Sequence, residues 1–281
     1  MTRTLIVNAD DFGRTRGVSA GILEAHLHGL VSTTTALVNL PGALQDVSQA
    51  YRQAPTLGLG VHLNLTLGRP VLSPASVPSL VASDGSFYPP DALAAIASRI
   101  DARQVAGEWR AQIEAFLMTG AALDHLDSHH HAALLAPTLW ETCLSLAVAF
   151  GCGVRPPAPR VVRDDVLFTR FPIHARRYAA GEARRRLRAS GIPCPDSLVT
   201  RFYGRRATLP GLLSILSATP NGITELMCHP GWVDEQLQRE SGYAQARERE
   251  LQALTSARAL QAVARLGIAR STYRQAFVTP A

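Results

Sequence analysis

The chain has 281 residues, a hydrophobic content of 47% and a formal net charge of +6, which predicts one domain with a sizeable core, in the size range of α/β barrels. All 28 of its basic residues other than histidine are arginine, so lysine is absent. This composition excludes a Schiff-base lysine, a pyridoxal phosphate linkage and a phosphate-loop lysine.

The first part of the chain alternates between strand-like and helix-like patterns. Strands are predicted over residues 4–9, 33–38 and 57–66. Helices are predicted over about residues 17–29 and 42–54. A loop rich in proline, serine and glycine follows from residue 68 to residue 90, and its length predicts that it borders a functional site.

The same alternation continues through the rest of the chain. Helices are predicted over about residues 91–98, 102–117, 137–150, 209–218 and 244–266, and strands over residues 122–126, 153–155 and 223–228. An arginine-rich segment at about 160–206 is predicted to be a solvated helical insertion. Strands that alternate with helices predict a single α/β domain over residues 1–281, with a mainly parallel sheet that is either open or closed into a barrel.

Residue types that bind metals follow several of the predicted strands. Asp10 and Asp11 follow the first strand, His62 lies near the end of the third, a histidine cluster occupies residues 125–131, and His229 follows the strand at 223–228. In parallel sheets these strand ends meet at one edge. One carboxylate and two histidines are enough to hold a catalytic divalent metal, and a second carboxylate can then accept a proton.

Each of these residues also has a purely structural interpretation. Asp11 could cap the loop before the first helix, and His62 could be a buried core histidine. The three consecutive histidines at 129–131 cannot all face one metal, because neighbouring strand side chains alternate. Asp127 either orients a liganding imidazole or caps the following turn, and His125 is expected to pack beside the site.

Four segments of the chain resemble YdjC-like carbohydrate deacetylases, with the chitooligosaccharide (chitin disaccharide) deacetylases as the most similar branch. They are residues 8–13 (NADDFG), 33–39 (TTTALVN), 125–131 (HLDSHHH) and 227–230 (MCHP). The resemblance runs from about Leu5 to Arg274. It is the ordered combination of motifs, rather than any one of them, that identifies the family.

The resemblance implies a distorted (β/α) barrel that holds magnesium through Asp11, His62 and His129, with zinc or another divalent metal as the alternative. His131 is the alternative to His129 within the histidine cluster. The implied reaction removes an N-acetyl group from a sugar, with Asp10 as the general base. An acetylated mono- or oligosaccharide is therefore the expected substrate.

Four further residues are candidates for the same site. His229 is a candidate acid for the departing amine, because cleavage of an amide requires a proton on nitrogen. Arg155, Tyr203 and Trp232 are candidates to line a sugar pocket. Residues 132–137 read AALLAP where the family usually has another histidine and a proline, which leaves the sugar itself open.

Two other functional classes remain open. A metal-dependent phosphoesterase would suit the arginine excess, and a carbohydrate-binding protein without catalysis would not need both Asp10 and Asp11. Nucleic-acid binding is not expected, because aromatic interleaving and known binding motifs are missing.

The location and assembly of the chain are predicted from its ends and its apolar runs. The run at 144–154 is too short to span a bilayer, and the N-terminus leads directly into the first strand. We therefore expect a cytoplasmic protein without a membrane partner. A homodimer is an open alternative to a monomer.

Overall fold

One curled sheet of parallel strands organises the chain. The structure is a computed structural model that describes residues 2–157 and 172–277. Its strands are β1 (Arg3–Phe12), β2 (Thr33–Ala36), β3 (Gly58–Leu63), β4 (Leu123–Ser128), β5 (Gly153–Val154), β6 (Ser197–Val199), β7 (Gly222–Cys228) and β8 (Ile268–Arg270). They lie in the order β5-β4-β3-β2-β1-β7-β6, and β8 pairs with the first residues of β1.

The sheet curls until its two edge strands approach each other. The backbone N–H of Val154 in β5 donates to the carbonyl of Pro193, which precedes β6, at 3.0 Å. Every pairing between the named strands is parallel. The predicted distorted (β/α) barrel with mainly parallel strands is therefore confirmed.

Helices connect the strands and cover the sheet. They are α1 (Arg16–Leu27), α2 (Ala43–Gln53), α3 (Pro90–Ile96), α4 (Ala102–Leu117), α5 (Pro137–Phe150), α6 (Ile173–Ala180), α7 (Glu182–Ser190), α8 (Leu209–Ser217), α9 (Glu235–Glu240), α10 (Ala244–Leu254), α11 (Ala257–Arg265) and α12 (Tyr273–Phe277). Among the described residues, none of the helices is long and apolar enough to cross a membrane.

The first helix illustrates how local sequence sets these elements. Thr15 is the N-cap of α1, and its side chain accepts from the backbone N–H of Val18. Val18, Ile22 and Ala25 recur at helical spacing and are fully buried. β1 ends at Phe12 and α1 begins at Arg16, so Asp10 and Asp11 lie at the carboxyl edge of the sheet, just before this helix.

The predicted helix over residues 244–266 is wrong, because two helices occupy this range. α10 ends at Leu254 and α11 begins at Ala257, with the intervening Ser256 in an extended conformation. The carbonyl of Leu254 accepts from the backbone N–H of Leu30, which lies between α1 and β2. In a continuous helix, the carbonyl of Leu254 would instead accept from the backbone N–H four residues further along the chain.

The arginine-rich segment is only partly the insertion that its sequence predicts. Residues 158–171 lie outside the described residues. The helices α6 and α7 match the helical prediction, and Arg185 on α7 is exposed. However, Ser197–Val199 forms β6, which pairs with β7, and Phe202 is fully buried. The end of this segment therefore belongs to the sheet and to the core.

Two buried side chains of α4 form hydrogen bonds with the loop after β3. Glu108 accepts from the backbone N–H groups of Val71 and Leu72 at 2.9 and 3.0 Å. Gln112 bonds to both the N–H and the carbonyl of Asn64. Burial raises the pKa of Glu108, and its hydrogen bonds oppose that rise. These contacts hold the start of the loop at the carboxyl edge of the sheet.

Candidate active site at the strand ends

The candidate site is a cleft of about 560 Å³ at the carboxyl edge of the sheet. Its walls come from the ends of β1, β3, β4 and β7, with residues from the loop after β3 and from the start of α10. Asp10, Asp11, His62, His129 and His229 all line it. The structure therefore brings together the residues that the sequence places at separate strand ends, as parallel sheets do.

Three residues of the cleft have a backbone conformation that side chains normally avoid. Asp11, His130 and His131 have φ angles of 73°, 52° and 53°, and they are the positive-φ residues other than glycine in the described chain. Each costs about 1–3 kcal/mol. Their concentration in one cleft indicates that surrounding contacts hold these side chains in place despite that cost.

Asp11 presents one carboxylate oxygen to two imidazole nitrogens. Its Oδ1 lies 3.5 Å from His62 Nε2 and 3.6 Å from His129 Nε2. Its Oδ2 forms an ion pair with Arg247. Oδ1 is buried and has no hydrogen-bond partner among the described residues, although buried polar atoms are nearly always paired. An unpaired oxygen between two imidazoles is an arrangement that a cation would satisfy.

The outer nitrogens of the two imidazoles have different partners. His62 Nδ1 lies 2.5 Å from Asp127 Oδ1, and His129 Nδ1 lies 2.8 Å from Thr66 Oγ1. When Nδ1 carries the proton, Nε2 is left with its lone pair directed at Asp11. Asp127 therefore orients an imidazole, which is the first of the two roles expected for it.

The two rings differ in how readily they take up a second proton. Burial lowers the pKa of His62, but the charge and hydrogen bond of Asp127, together with two further carboxylates, raise it overall. Burial lowers the pKa of His129 well below its usual value, and His130 lowers it further. His129 is therefore neutral at physiological pH, as a metal ligand must be, whereas a cation at His62 competes with a proton.

Arg155, a candidate for the sugar pocket, lies beneath the carboxylates and is not among the residues that line the cleft. Its Nη2 and Nη1 donate to the two oxygens of Asp10 at 2.6 and 2.8 Å. Nη1 also lies 2.8 Å from Asp127 Oδ2, and Nε donates to Glu225 Oε1 at 2.7 Å. Arg155 directly follows β5, and its side chain is buried. Arg155 is a buried counter-ion, not a wall of the cleft.

Asp10 is held in its ionised form by these neighbours. Burial raises the pKa of Asp10, but the charge and hydrogen bonds of Arg155, with smaller effects of His62 and His229, lower it overall. Asn8 Nδ2 also donates to Asp10 Oδ1 at 2.9 Å. Asp10 is therefore a carboxylate of fixed orientation and low basicity.

A second group of potential metal ligands overlaps with the first. Asp10, His62 and Asp127 each offer one ligand atom, and these atoms lie within 4.8 Å of one another. This buried Asp-His-Asp group is consistent with a divalent metal. Both of its carboxylates already bind the Arg155 guanidinium, whereas Asp11 has an unpaired oxygen.

The buried charge of the site is unbalanced. Four buried carboxylates face two buried guanidinium groups; they are Asp10, Asp11, Asp127 and Glu225, and Arg155 and Arg247. If all four acids are ionised, two negative charges remain before the histidines are counted and before Arg14, a partly buried cation of the cleft that lowers the pKa of Asp11. Uncompensated buried charge is costly. This donor set therefore fits a divalent cation.

His229 lies next to Asp10 in the cleft. Its Nε2 is 3.9 Å from Asp10 Oδ2, and its Nδ1 is buried without a hydrogen-bond partner among the described residues. Burial lowers the pKa of His229 to about 4, even though Asp10 and Asp11 raise it. His229 is therefore neutral at physiological pH in the free protein.

The two aromatic candidates lie in different places. Tyr203 lines the cleft and stacks on Tyr243 with ring centroids 4.1 Å apart. Trp232 is 40% exposed, and its Nε1 donates to Glu24 of α1 at 3.0 Å. It is not among the residues that line the cleft, because the chain passes over α1 after β7. Tyr203 can therefore contact a ligand in the cleft, and Trp232 is placed outside it.

Four residues of the site were not predicted from the sequence. Thr66 lies at the histidine cluster, and Tyr243, Arg247 and Glu250 reach the site from α10 and its N-cap. Residues 243, 247 and 250 share one face of a helix, since they are separated by four and then three positions. This spacing of a tyrosine, an arginine and a glutamate is the sequence pattern that could have predicted that this face of the helix meets the site.

Comparisons with known proteins agree along nearly the whole chain. The family model of YdjC-like proteins matches residues 4–265. A carbohydrate deacetylase of Enterococcus faecalis is 34% identical over 276 residues, which cover 96% of this chain and 97% of the relative. A carbohydrate deacetylase of Geobacillus stearothermophilus is 33% identical over 276 residues, which cover 98% of each chain.

A solved structure has the same fold. It is a crystal structure of an Enterococcus faecalis protein that is described as a candidate for cellobiose-phosphate cleavage. The TM-score is 0.83, the identity is 34%, and the alignment covers 98% of both chains. The similarity therefore extends over nearly the whole chain.

Proposed function

Because the chain belongs to the YdjC-like protein family, we propose that it is a metal-dependent carbohydrate deacetylase. It is a hydrolase that removes N-acetyl groups from acetylated sugars such as chitooligosaccharides and releases acetate. The names of its relatives support the reaction class. The main structural support is the unpaired Oδ1 of Asp11, which lies within 3.6 Å of two imidazole nitrogens.

The metal ligands in this proposal are Asp11, His62 and His129. Three protein ligands leave coordination positions for water and substrate, as catalytic metal sites require. Asp127 and Thr66 fix the two imidazoles from behind. Magnesium is the proposed metal, and zinc or another divalent ion would also be accepted by one carboxylate and two imidazoles.

Asp10 acts as the general base next to that metal. When bound, a divalent cation lowers the pKa of the attacking water and polarises the amide carbonyl, which compensates for the low basicity of Asp10. Arg155 and Asn8 fix the orientation of Asp10. Asp10 therefore takes the proton from water without having to reorient.

His229 delivers a proton to the departing amine. It is neutral in the free protein, so it must receive a proton before it can act as an acid. Asp10 Oδ2, 3.9 Å from His229 Nε2, is the adjacent group that can pass on the proton taken from water. The unpartnered Nδ1 of His229 leaves this ring free of competing hydrogen bonds.

Tyr203 supplies an apolar ring to the sugar-binding part of the cleft. Its stacking on Tyr243 fixes the ring plane, and the T-shaped contact with His229 at 5.6 Å keeps it next to the reacting groups. The cleft volume of about 560 Å³ is within the usual range for small-ligand pockets. An acetylated mono- or oligosaccharide is therefore the proposed substrate class.

Acetate release is the direct test of this function. Metal-stripped protein, and the same protein with magnesium or zinc restored, would be incubated with diacetylchitobiose and with other N-acetylated sugars. Metal-dependent acetate release would support the proposal and rank the substrates. Phosphate release from sugar phosphates without acetate release would favour a phosphoesterase, and sugar binding without turnover would favour a carbohydrate-binding protein.

A further inference from the structure

One face of α10 reaches three different parts of the site. Tyr243, the N-cap residue of α10, forms part of the cleft wall. Arg247, one turn further on, pairs with Asp11. Glu250, in the following turn, is fully buried and contacts the residue after β7. The first two side chains line the cleft, whereas Glu250 acts from behind it.

Glu250 binds two donors that belong to different segments. Its Oε2 accepts from the backbone N–H of His229. Its Oε1 accepts from the hydroxyl of Tyr243 at 2.6 Å, and that hydroxyl accepts from the N–H of Gly204 at 2.7 Å. One carboxylate therefore joins the end of β7, the start of α10 and the segment that contains Tyr203.

Among the described residues, Glu250 supplies the hydrogen bond that holds the backbone of His229. The pairing of β7 with β1 ends at Cys228, one residue before His229. Its Nδ1 has no hydrogen-bond partner within the described ranges, and its Nε2 lies 3.9 Å from Asp10. The His229 ring also makes edge-to-face contacts with Tyr203 and Tyr243, with ring centroids 5.6 and 5.9 Å apart.

We propose that Glu250 is a positioning residue for His229, acting through the His229 backbone N–H and through the Tyr203–Tyr243 pair. This inference rests on the proposed function, because it assigns to Glu250 the placement of the proposed acid. Two donors face two carboxylate oxygens, so the position requires two acceptors. A glutamine would turn an N–H₂ group towards one of the donors and break one half of the contact.

The test compares two glutamates of the same helix. Glu250→Gln is expected to lower kcat for acetate release about tenfold while KM stays within about twofold. Glu248 is the matched control, because its Oε1 accepts from the backbone N–H of Val233 at 3.1 Å, further along the same segment. Glu248→Gln is expected to leave both constants unchanged.

A double-mutant cycle separates positioning from a general loss of structure. In a His229→Ala background, Glu250→Gln is expected to cause no further loss of kcat, because the group that it positions is gone. An equal loss with and without His229, or no loss in the single variant, would overturn the proposal. If Glu250→Gln does not fold, Glu250→Asp keeps the charge but is too short to reach both donors, and the same pattern is expected.

A second readout does not depend on activity. In wild-type protein the amide proton resonance of His229 should be shifted downfield by its carboxylate partner. It should move upfield in Glu250→Gln and stay in place in Glu248→Gln. An unchanged resonance would refute the contact. If wild-type protein releases no acetate but the resonance moves as expected, the proposed function fails while the placement of His229 by Glu250 stands.

Discussion

Asp10 and Asp11 are adjacent in the chain, yet they lie in opposite kinds of surroundings. Both oxygens of Asp10 are engaged by Arg155 and Asn8. Asp11 pairs one oxygen with Arg247 and leaves the other unpaired between two imidazoles. The positive φ of Asp11, 73°, interrupts the alternation of side chains along β1, and both aspartates line the same cleft.

The two residues define two halves of the site. The Asp10 half consists of Asp10, Asp127, Glu225 and Arg155, in which each carboxylate has a guanidinium partner. The Asp11 half consists of Asp11, His62, His129 and Thr66, in which Asp11 Oδ1 lies within 3.6 Å of two imidazole nitrogens and has no hydrogen-bond partner among the described residues. A saturated group is suited to hold a fixed charge and orientation, and a group with spare acceptors is suited to bind a cation.

The largest expected effect is on turnover, through the Asp10 half. Asp10→Asn removes the proposed base and keeps the shape of the side chain, so kcat for acetate release should fall roughly a hundredfold to ten-thousandfold. The measurement is steady-state kinetics with magnesium or zinc present. Normal turnover in this variant would mean that Asp10 is not the base.

The second prediction concerns stability and compares a buried arginine ion pair with an exposed one. Arg155→Met leaves the carboxylates of the Asp10 half without their cation, which should lower the free energy of unfolding by about 3–5 kcal/mol. The control is Arg186→Met, because Arg186 is exposed and pairs with Glu182 and Glu141. Urea unfolding should show a much smaller change for the control.

A comparable loss for the two arginine variants would contradict this distinction. It would mean that the buried guanidinium is no more important to the fold than one in solvent.

A pH effect on stability is expected from Glu250. Burial raises the pKa of Glu250 from 4.5 to about 7, an effect that the His229 N–H, Tyr243 and Arg247 only partly oppose. Between these values the folded protein holds the proton more tightly than the unfolded chain, so stability falls as pH rises through this window. Relative to wild type, Glu250→Gln should gain about 3 kcal/mol from pH 4.5 to 8.

Urea unfolding of both proteins across this pH range is the measurement. The sign is specific, because a carboxylate with a lowered pKa would give the opposite trend. A difference between the two proteins that does not change with pH would contradict the raised pKa of Glu250.

The smallest expected effect is on cation affinity, through Thr66. Thr66→Val removes the hydroxyl at His129 Nδ1 and keeps the shape, so affinity for a divalent cation should fall about tenfold. Thr66→Ser keeps the hydroxyl and should retain most of the affinity. Calorimetric titration of metal-stripped protein would measure both, and equal affinities in the two variants would show that the hydroxyl does not orient the ring.

The strand ends were predictable because one rule of parallel sheets applies to all of them. Asp10, Asp11, His62, His129 and His229 follow recognisable strand patterns, and parallel strands deliver their last residues to one edge. The sequence motifs favour His129 over His131 as the metal ligand within the histidine cluster. Those five residues line one cleft, as predicted, while their chemical roles stay proposals.

The remaining features depend on contacts between distant segments. Nothing around Arg155 in the sequence indicates that its side chain turns inwards to meet Glu225, some seventy positions away. The break after Leu254 depends in the same way on the distant Leu30. Glu250 lies on a correctly predicted stretch of helix, but which face of that helix meets the site is decided by packing.

Cation binding by the Asp11 half is the central claim, and one titration tests it most directly. Metal-stripped wild-type protein, Asp11→Asn and Asp10→Asn would be titrated with magnesium and with zinc in a calorimeter. We predict that wild type and Asp10→Asn bind one divalent ion and that Asp11→Asn has lost this binding. Retained binding in Asp11→Asn together with lost binding in Asp10→Asn would contradict the account and assign the metal to Asp10, His62 and Asp127.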